Sequence, residues 1–178
     1  MITEFETKVL NINPKKIIKN LRFLGAKEIP ESLIRRYVFD NDPQGPIEFF
    51  RLREYQGRSF LTYKRKLKGN SKVGNTSEIN VEVSDFDSCA QIFLRLGFTR
   101  VFYQENKRHL FVLDGIEFCI DTWPLLAPYL EIEAKNKKKL QMGLKILDLI
   151  GKDVGDKDIK IIYKECGIDL HAYKDLKF

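Results

Sequence analysis

Two five-residue stretches near opposite ends of the chain, Glu4-Phe5-Glu6-Thr7-Lys8 and Glu131-Ile132-Glu133-Ala134-Lys135, carry one pattern: two carboxylates and a lysine spaced two apart. In an extended chain, residues i and i+2 lie on the same face about 7 Å apart. Each stretch therefore reads as a strand with a charged face and an apolar one. With 13 Glu and 21 Lys in 178 residues, chance supplies about 0.1 such matches. Two are present, so the pattern constrains what the chain can fold into.

The same alternation recurs in "RRYVFD", "IEFFRLREY", "SFLTYKRKLK", "SEINVEVS", "RHLFVLD", "IEFCIDTW" and "PYLEIEAK". It places Arg51, Arg53 and Tyr55 on one face, Lys64 and Lys66 on another strand, then Glu78, Asn80 and Glu82, then Glu117, Cys119 and Asp121. Gly57 and Asp114-Gly115 are hairpin signals, while 41–46 and 69–77 read as polar loops. Helices are predicted from Asn13 to Gly25, with Pro14 at the first helical position, from Ser84 or Asp85 to Gly97, from Lys135 to Gly151, and over 157–167.

Amphipathic helices need an apolar sheet face to cover, and Phe5, Leu52, Leu61, Tyr63, Leu67, Leu130 and Ile132 supply it. The expected fold class is α+β, with helices packed outside a curled antiparallel sheet whose charged face is concave. A length of 178 residues suits one domain over 1–178. Early charges and the lack of an apolar run of ~20 residues argue against a signal peptide or membrane span, so a cytoplasmic location is expected. Cys89, Cys119 and Cys166 show no CxxC spacing and read as reduced packing residues.

Clustered cations beside clustered carboxylates suit a polyphosphate guest. Arg and Lys neutralise its oxygens, while carboxylates hold Mg²⁺ or Mn²⁺, which prefer oxygen ligands. A plain nucleic-acid groove does not require both signs, which disfavours nucleic acid as a partner. The net charge of +6 is compatible with an anionic ligand. His109 and His171 stand far apart and read as surface or packing residues, and the lack of GxxxxGK[ST] excludes a P-loop.

In these residues the chain resembles the CYTH, or triphosphate tunnel metalloenzyme, family, which includes class IV adenylyl cyclases, thiamine triphosphatases and inorganic triphosphatases. "EFETK", "FRLRE", "TYKRK", "SEINVEV" and "CIDTWPLLAPYLEIEAK" carry the resemblance in order over nearly the whole chain. It implies an eight-stranded antiparallel β-barrel tunnel with helices outside. It also implies metal ligands Glu4, Glu6, Glu78, Asp121, Glu131 and Glu133, and phosphate-binding residues Lys8, Arg51, Arg53, Lys64, Lys66 and Arg108. Glu4, Glu6 and Lys8 are the implied catalytic residues. Thr76, Asn80 and Asn106 depart from the family's pattern, and Lys107 stands beside the last of them.

The expected activity is metal-dependent hydrolysis of a nucleoside, thiamine or inorganic triphosphate, a small-molecule substrate. The first alternative is a class IV cyclase making cyclic AMP and pyrophosphate from ATP. The second is a non-catalytic polyphosphate- or RNA-binding module. A homodimer is compatible with all three.

Overall fold

The computed structural model describes residues 5–40, 48–66, 76–98 and 100–178. Along the chain lie β1 (Phe5–Val9), α1 (Pro14–Phe23), β2 (Lys27–Asp40), β3 (Glu48–Tyr55), β4 (Arg58–Lys66) and β5 (Thr76–Val83). They are followed by α2 (Phe86–Arg95), β6 (Arg100–Leu113), β7 (Ile116–Thr122), β8 (Tyr129–Ala134), α3 (Lys137–Ile146), α4 (Ile159–Glu165) and the short β9 (Asp175–Leu176). The expected loop at 41–46, residues 69–75 of the loop expected at 69–77, Glu4 and Leu67 lie outside the described residues; positions 76 and 77 of that expected loop instead open β5.

Eight strands form one large antiparallel sheet in the order β1-β8-β7-β6-β2-β3-β4-β5, with β9 beside β6. The α+β class, the eight strands and the helices agree with the sequence reading. Among the described residues no hydrogen-bonded pairing between β1 and β5 closes the sheet. No helix among them is long and apolar enough to cross a membrane. The chain divides into two compact units, one of residues 1–32 and 107–170, the other of residues 33–106 and 171–178.

In the first unit, β1, β8, β7 and the C-terminal half of β6 turn their apolar faces toward α1 and α3. Val9, Phe111, Phe118, Leu130 and Ile132 from the strands meet Ile17, Leu21 and Leu144 from the helices in one buried cluster. Each such side chain contributes about 1.5–3 kcal/mol of burial free energy. Asn13 caps α1 by accepting from the Lys16 amide at 3.2 Å, and Asn136 caps α3 by accepting from the Lys139 amide at 2.9 Å. At Gly143 a Cβ would lie 3.0 Å from Ile132 Cγ2 and 3.2 Å from Ile116 Cγ2, so α3 sits against the sheet as closely as a glycine permits.

β1 has a neighbour on its other side too. The Lys8 amide donates to the Gly155 carbonyl at 3.1 Å, the Val154 amide donates to the Lys8 carbonyl at 2.8 Å, and Thr7 Oγ1 donates to Asp153 at 2.9 Å.

In the second unit, α2 covers β2 and β3 through an aromatic cluster in which Phe93 lies 4.9 Å from Phe39 and 5.1 Å from Phe50, ring centre to ring centre. Asp85 caps α2 by accepting from the Ser88 amide at 2.6 Å. Arg35 sits over the Phe86 ring at 4.3 Å and pairs with Glu54 at 3.0 Å and Asp87 at 3.3 Å.

Candidate active site

The faces opposite the two cores carry the charges. In the first unit the register sets Glu6 across from Glu133, Lys8 across from Glu131, Glu131 across from Cys119, and Arg108 across from Asp121. Directly opposed residues of an antiparallel pair share a face. Period-two alternation on four adjacent strands therefore collects Glu6, Lys8, Arg108, Cys119, Asp121, Glu131 and Glu133 on one side.

Within that set cations and carboxylates interlock. Arg108 donates through Nε to Asp121 Oδ1 at 2.8 Å and through Nη2 to Asp121 Oδ2 at 2.6 Å. The same Nη2 reaches Glu131 Oε1 at 2.7 Å, and Nη1 lies 3.9 Å from Glu133. Lys8 Nζ contacts Glu6 at 3.0 Å, Glu131 Oε2 at 3.1 Å and Asp156 at 3.6 Å. Lys8, Asp121 and Glu131 are all buried.

Burial opposes the charge on Glu131, but Arg108 and Lys8 outweigh it and hold its pKa at about 2. Burial likewise opposes the charge on Lys8, and Glu131 with Glu6 outweighs it, so the ammonium is held above its usual range. Glu133 goes the other way: burial, then a hydrogen bond with and repulsion from Glu131, push it up to about 8. Glu6 is pushed up to about 7 by burial and by a hydrogen bond with Asp156, against the pull of Lys8. Burial also raises the Cys119 thiol, which keeps it protonated.

Glu131 and Glu133 offer the oxygen donors that a hard divalent cation prefers, whereas the neighbouring Cys119 thiol, kept protonated, does not. Carboxylate oxygens of Glu131 and Glu133 and the Cys119 sulfur lie within 4.8 Å of one another. A hydrogen bond that raises Glu133 joins the two glutamates, and a divalent cation would replace its proton with further gain in charge neutralisation.

The second unit presents Arg36, Arg51, Arg53, Thr62, Lys64, Glu78 and Asn80 on one face. Its register opposes Arg36 to Arg53, Arg51 to Thr62, Thr62 to Asn80, and Lys64 to Glu78. Lys64 pairs with Glu78 at 3.0 Å, and Thr62 Oγ1 donates to Asn80 Oδ1 at 2.8 Å. Phe49 and Phe60 lie on this charged face by register, whereas Phe50 turns into the aromatic core.

Of the residues expected from sequence, Glu6, Lys8, Arg108, Asp121, Glu131 and Glu133 come together in the first unit, and Arg51, Arg53, Lys64 and Glu78 share a face of the second. Lys66 ends β4, but its side chain lies outside the described residues. His109 bonds Glu28 at 2.8 Å and stacks near Phe111, and Trp123 donates to the Tyr129 hydroxyl at 3.1 Å, so both are packing residues. Asp156 was not singled out by sequence, because it belongs to no alternating strand. Only the segment beside β1 brings it to Glu6 and Lys8.

The sequence profile of the CYTH domain matches residues 3–154, which take in both acidic strand patterns and all the basic strands. The chain belongs to the CYTH family. A Methanocaldococcus jannaschii protein named "Putative adenylate cyclase MJ0240" is 33% identical over 134 residues, 73% of this CYTH chain and 75% of its own length. The PH1012 protein from Pyrococcus horikoshii OT3 shares the fold with a TM-score of 0.70 and 24% identity, over 89% of this chain and 98% of that one. HpAC1 from Hippeastrum, for which a dominant triphosphatase activity is reported, has a TM-score of 0.60 and 14% identity over 94% of this chain and 97% of its own. The two structural likenesses speak to the CYTH fold alone.

Proposed function

We propose that this CYTH chain is a divalent-metal-dependent enzyme that hydrolyses the terminal phosphoanhydride of a triphosphate. The observation that carries the reading is the interlocked set on β1, β6, β7 and β8, where Lys8 and Arg108 bracket Glu131 while Glu6, Asp121 and Glu133 adjoin. Such a concentration of both signs on one sheet face suits a ligand that brings both signs with it.

Glu6, Asp121, Glu131 and Glu133 would hold Mg²⁺ or Mn²⁺; Glu4 and Glu78 are the further metal ligands that the family resemblance implies. The bound ion would polarise phosphate oxygens and neutralise charge developing on the leaving group. Lys8 and Arg108 would exchange carboxylate partners for phosphate oxygens, and Arg51, Arg53, Lys64 and Lys66 are the further phosphate-binding residues that the family resemblance implies. A water oxygen attacks the terminal phosphorus, the bridging P–O bond breaks, and orthophosphate leaves the diphosphate product. A carboxylate of this acidic set, metal-bound or adjoining the ion, positions the water and takes its proton, with Glu4 and Glu6 the catalytic carboxylates that the family resemblance implies.

Turnover with Mg²⁺ or Mn²⁺ against ATP, thiamine triphosphate and inorganic tripolyphosphate tests this, with orthophosphate, pyrophosphate and cyclic AMP scored separately. Orthophosphate release supports the reading, and the rank order names the substrate. The name of the M. jannaschii relative favours a second reading, cyclisation of ATP. Cyclic AMP with pyrophosphate would establish that one instead. No turnover, together with tight metal-independent polyphosphate binding, would overturn both in favour of a binding module.

A further inference from the structure

Lys8 stands among three carboxylates, and an ammonium has three N–H donors to give them. Glu6 lies at 3.0 Å, Glu131 at 3.1 Å and Asp156 at 3.6 Å. The three are not held alike. Glu131 is buried and bonds Arg108 through its other oxygen, and Glu6 comes from the same strand as Lys8. Asp156 comes from the segment that borders β1, makes the longest of the three contacts and leaves 70% of its side chain in solvent. Ion pairs that exposed are of the weakest kind. Asp156 also shares a hydrogen bond with Glu6.

The backbone on either side of Asp156 is fixed. Gly155 accepts from the Lys8 amide at 3.1 Å and from the Lys157 amide at 2.9 Å, and Asp158 caps α4 by accepting from the Lys160 amide at 2.9 Å. Lys157 ties its ammonium to Glu165 at 2.7 Å. The Asp156 carboxylate therefore parts from Lys8 by turning about its own side-chain bonds, while the segment that carries it stays against β1.

We propose that Asp156 is a resident competitor for phosphate: its carboxylate occupies the place on Lys8 that a phosphate oxygen takes, and swings into solvent when the ligand arrives. This rests on the triphosphate reading above and deepens it, by naming which of three carboxylates Lys8 gives up. Glu131 does not leave without stranding Arg108 as well, and Glu6 and Glu131 both belong to the acidic set assigned to the metal. A carboxylate oxygen and a phosphate oxygen offer an ammonium the same thing, a compact negative acceptor, so at one N–H they exclude each other. Only an anion that displaces this aspartate reaches the lysine.

Calorimetric titration of the whole chain with inorganic tripolyphosphate, in the presence of a chelator, reads binding without turnover. Asp156→Asn is expected to tighten it about threefold, within the range for breaking an exposed ion pair, while Asp156→Glu, which keeps the charge, leaves it near the original. Asp148→Asn is the control: it removes an exposed carboxylate just past α3 and is expected to change nothing. Equal tightening by Asp148→Asn and Asp156→Asn would mean that net charge alone is felt, and that overturns the proposal. Unchanged binding in Asp156→Asn, the result for a purely structural contact, also overturns it, with the triphosphate reading left standing. A titration with Mn²⁺ alone separates the last alternative: weaker Mn²⁺ binding by Asp156→Asn would make Asp156 a metal ligand instead, and the competitor role falls. No tripolyphosphate binding by the unaltered chain or by Asp156→Asn, with or without Mg²⁺, overturns the two readings together.

Discussion

Glu131 engages Arg108 through Oε1 and Lys8 through Oε2, so its charge is needed where it stands. Glu133, two residues on, carries its proton near neutral pH. The two glutamates should therefore answer the same substitution in opposite ways. Glu131→Gln leaves the buried Lys8 and the partly buried Arg108 short of a partner and should cost about 3–5 kcal/mol of stability, measured by urea unfolding. Glu133→Gln imitates the protonated acid, so metal-free stability should stay within about 1 kcal/mol of the original while metal-dependent turnover falls roughly a hundredfold. Equal loss of stability in both would refute the assignment of charge within the pair. At this scale the sequence is legible wherever a residue belongs to an alternating strand, as the acidic and basic pairs do. The alternation puts Arg35 and Arg36 on opposite faces, but that Arg35 meets Phe86 and Glu54 while Arg36 lies across from Arg53 follows only from the packing and register. Asp156 was hidden for a related reason: its neighbours are set by where a turn returns, not by period.

Helix α3 approaches β7 and β8 most closely at Gly143. A valine there must push Ile132 and Ile116 aside, and Gly143→Val should destabilise the fold by about 1–3 kcal/mol, with turnover per folded molecule unchanged; chemical denaturation and active-site titration together check this. Asp85→Ala removes the cap of α2 and should cost about 1 kcal/mol, read as a lower unfolding midpoint. Caps and glycine stops make helices the most legible elements: α1 and α2 run between the residues that the sequence marks. The exceptions have local causes. Helix α3 ends at Ile146 instead of reaching Gly151, because Asp148 adopts a left-handed φ of 57° and breaks the repeat first. Strand β2 begins at Lys27, eight residues before the alternation is visible, since Pro30 and a run of mixed polarity mask an extended segment there. Strand β6 also begins early, at Arg100.

Across the molecule, protons, metal and fold are linked. Glu6 and Glu133 have folded-state pKa values of about 7 and about 8, above the ordinary carboxylate value. Their contribution to stability is fully present below about pH 4.5 and is lost as pH rises through 7 and 8. Glu131, depressed to about 2, contributes in the opposite sense, from about pH 4.5 upward, and that contribution is lost as pH falls toward 2. Metal-free protein should thus be most stable in mildly acidic buffer, and Mg²⁺ or Mn²⁺ should raise the thermal midpoint far more at pH 8 than at pH 6, since the ligands must shed protons to bind. A midpoint shift independent of pH would refute the acidic set as the metal site. The strand that bears Glu6 and Lys8 stands last in the sheet order, a position that ordinarily leaves a row of amides open to any passing chain. Here Val154 and Gly155 lie along it and exchange two backbone hydrogen bonds with Lys8. Clipping the polypeptide after Lys152 would unseal that border: the Lys8 amide would exchange with deuterium at the rate of an open strand, and the exposed hem would recruit other molecules into fibres.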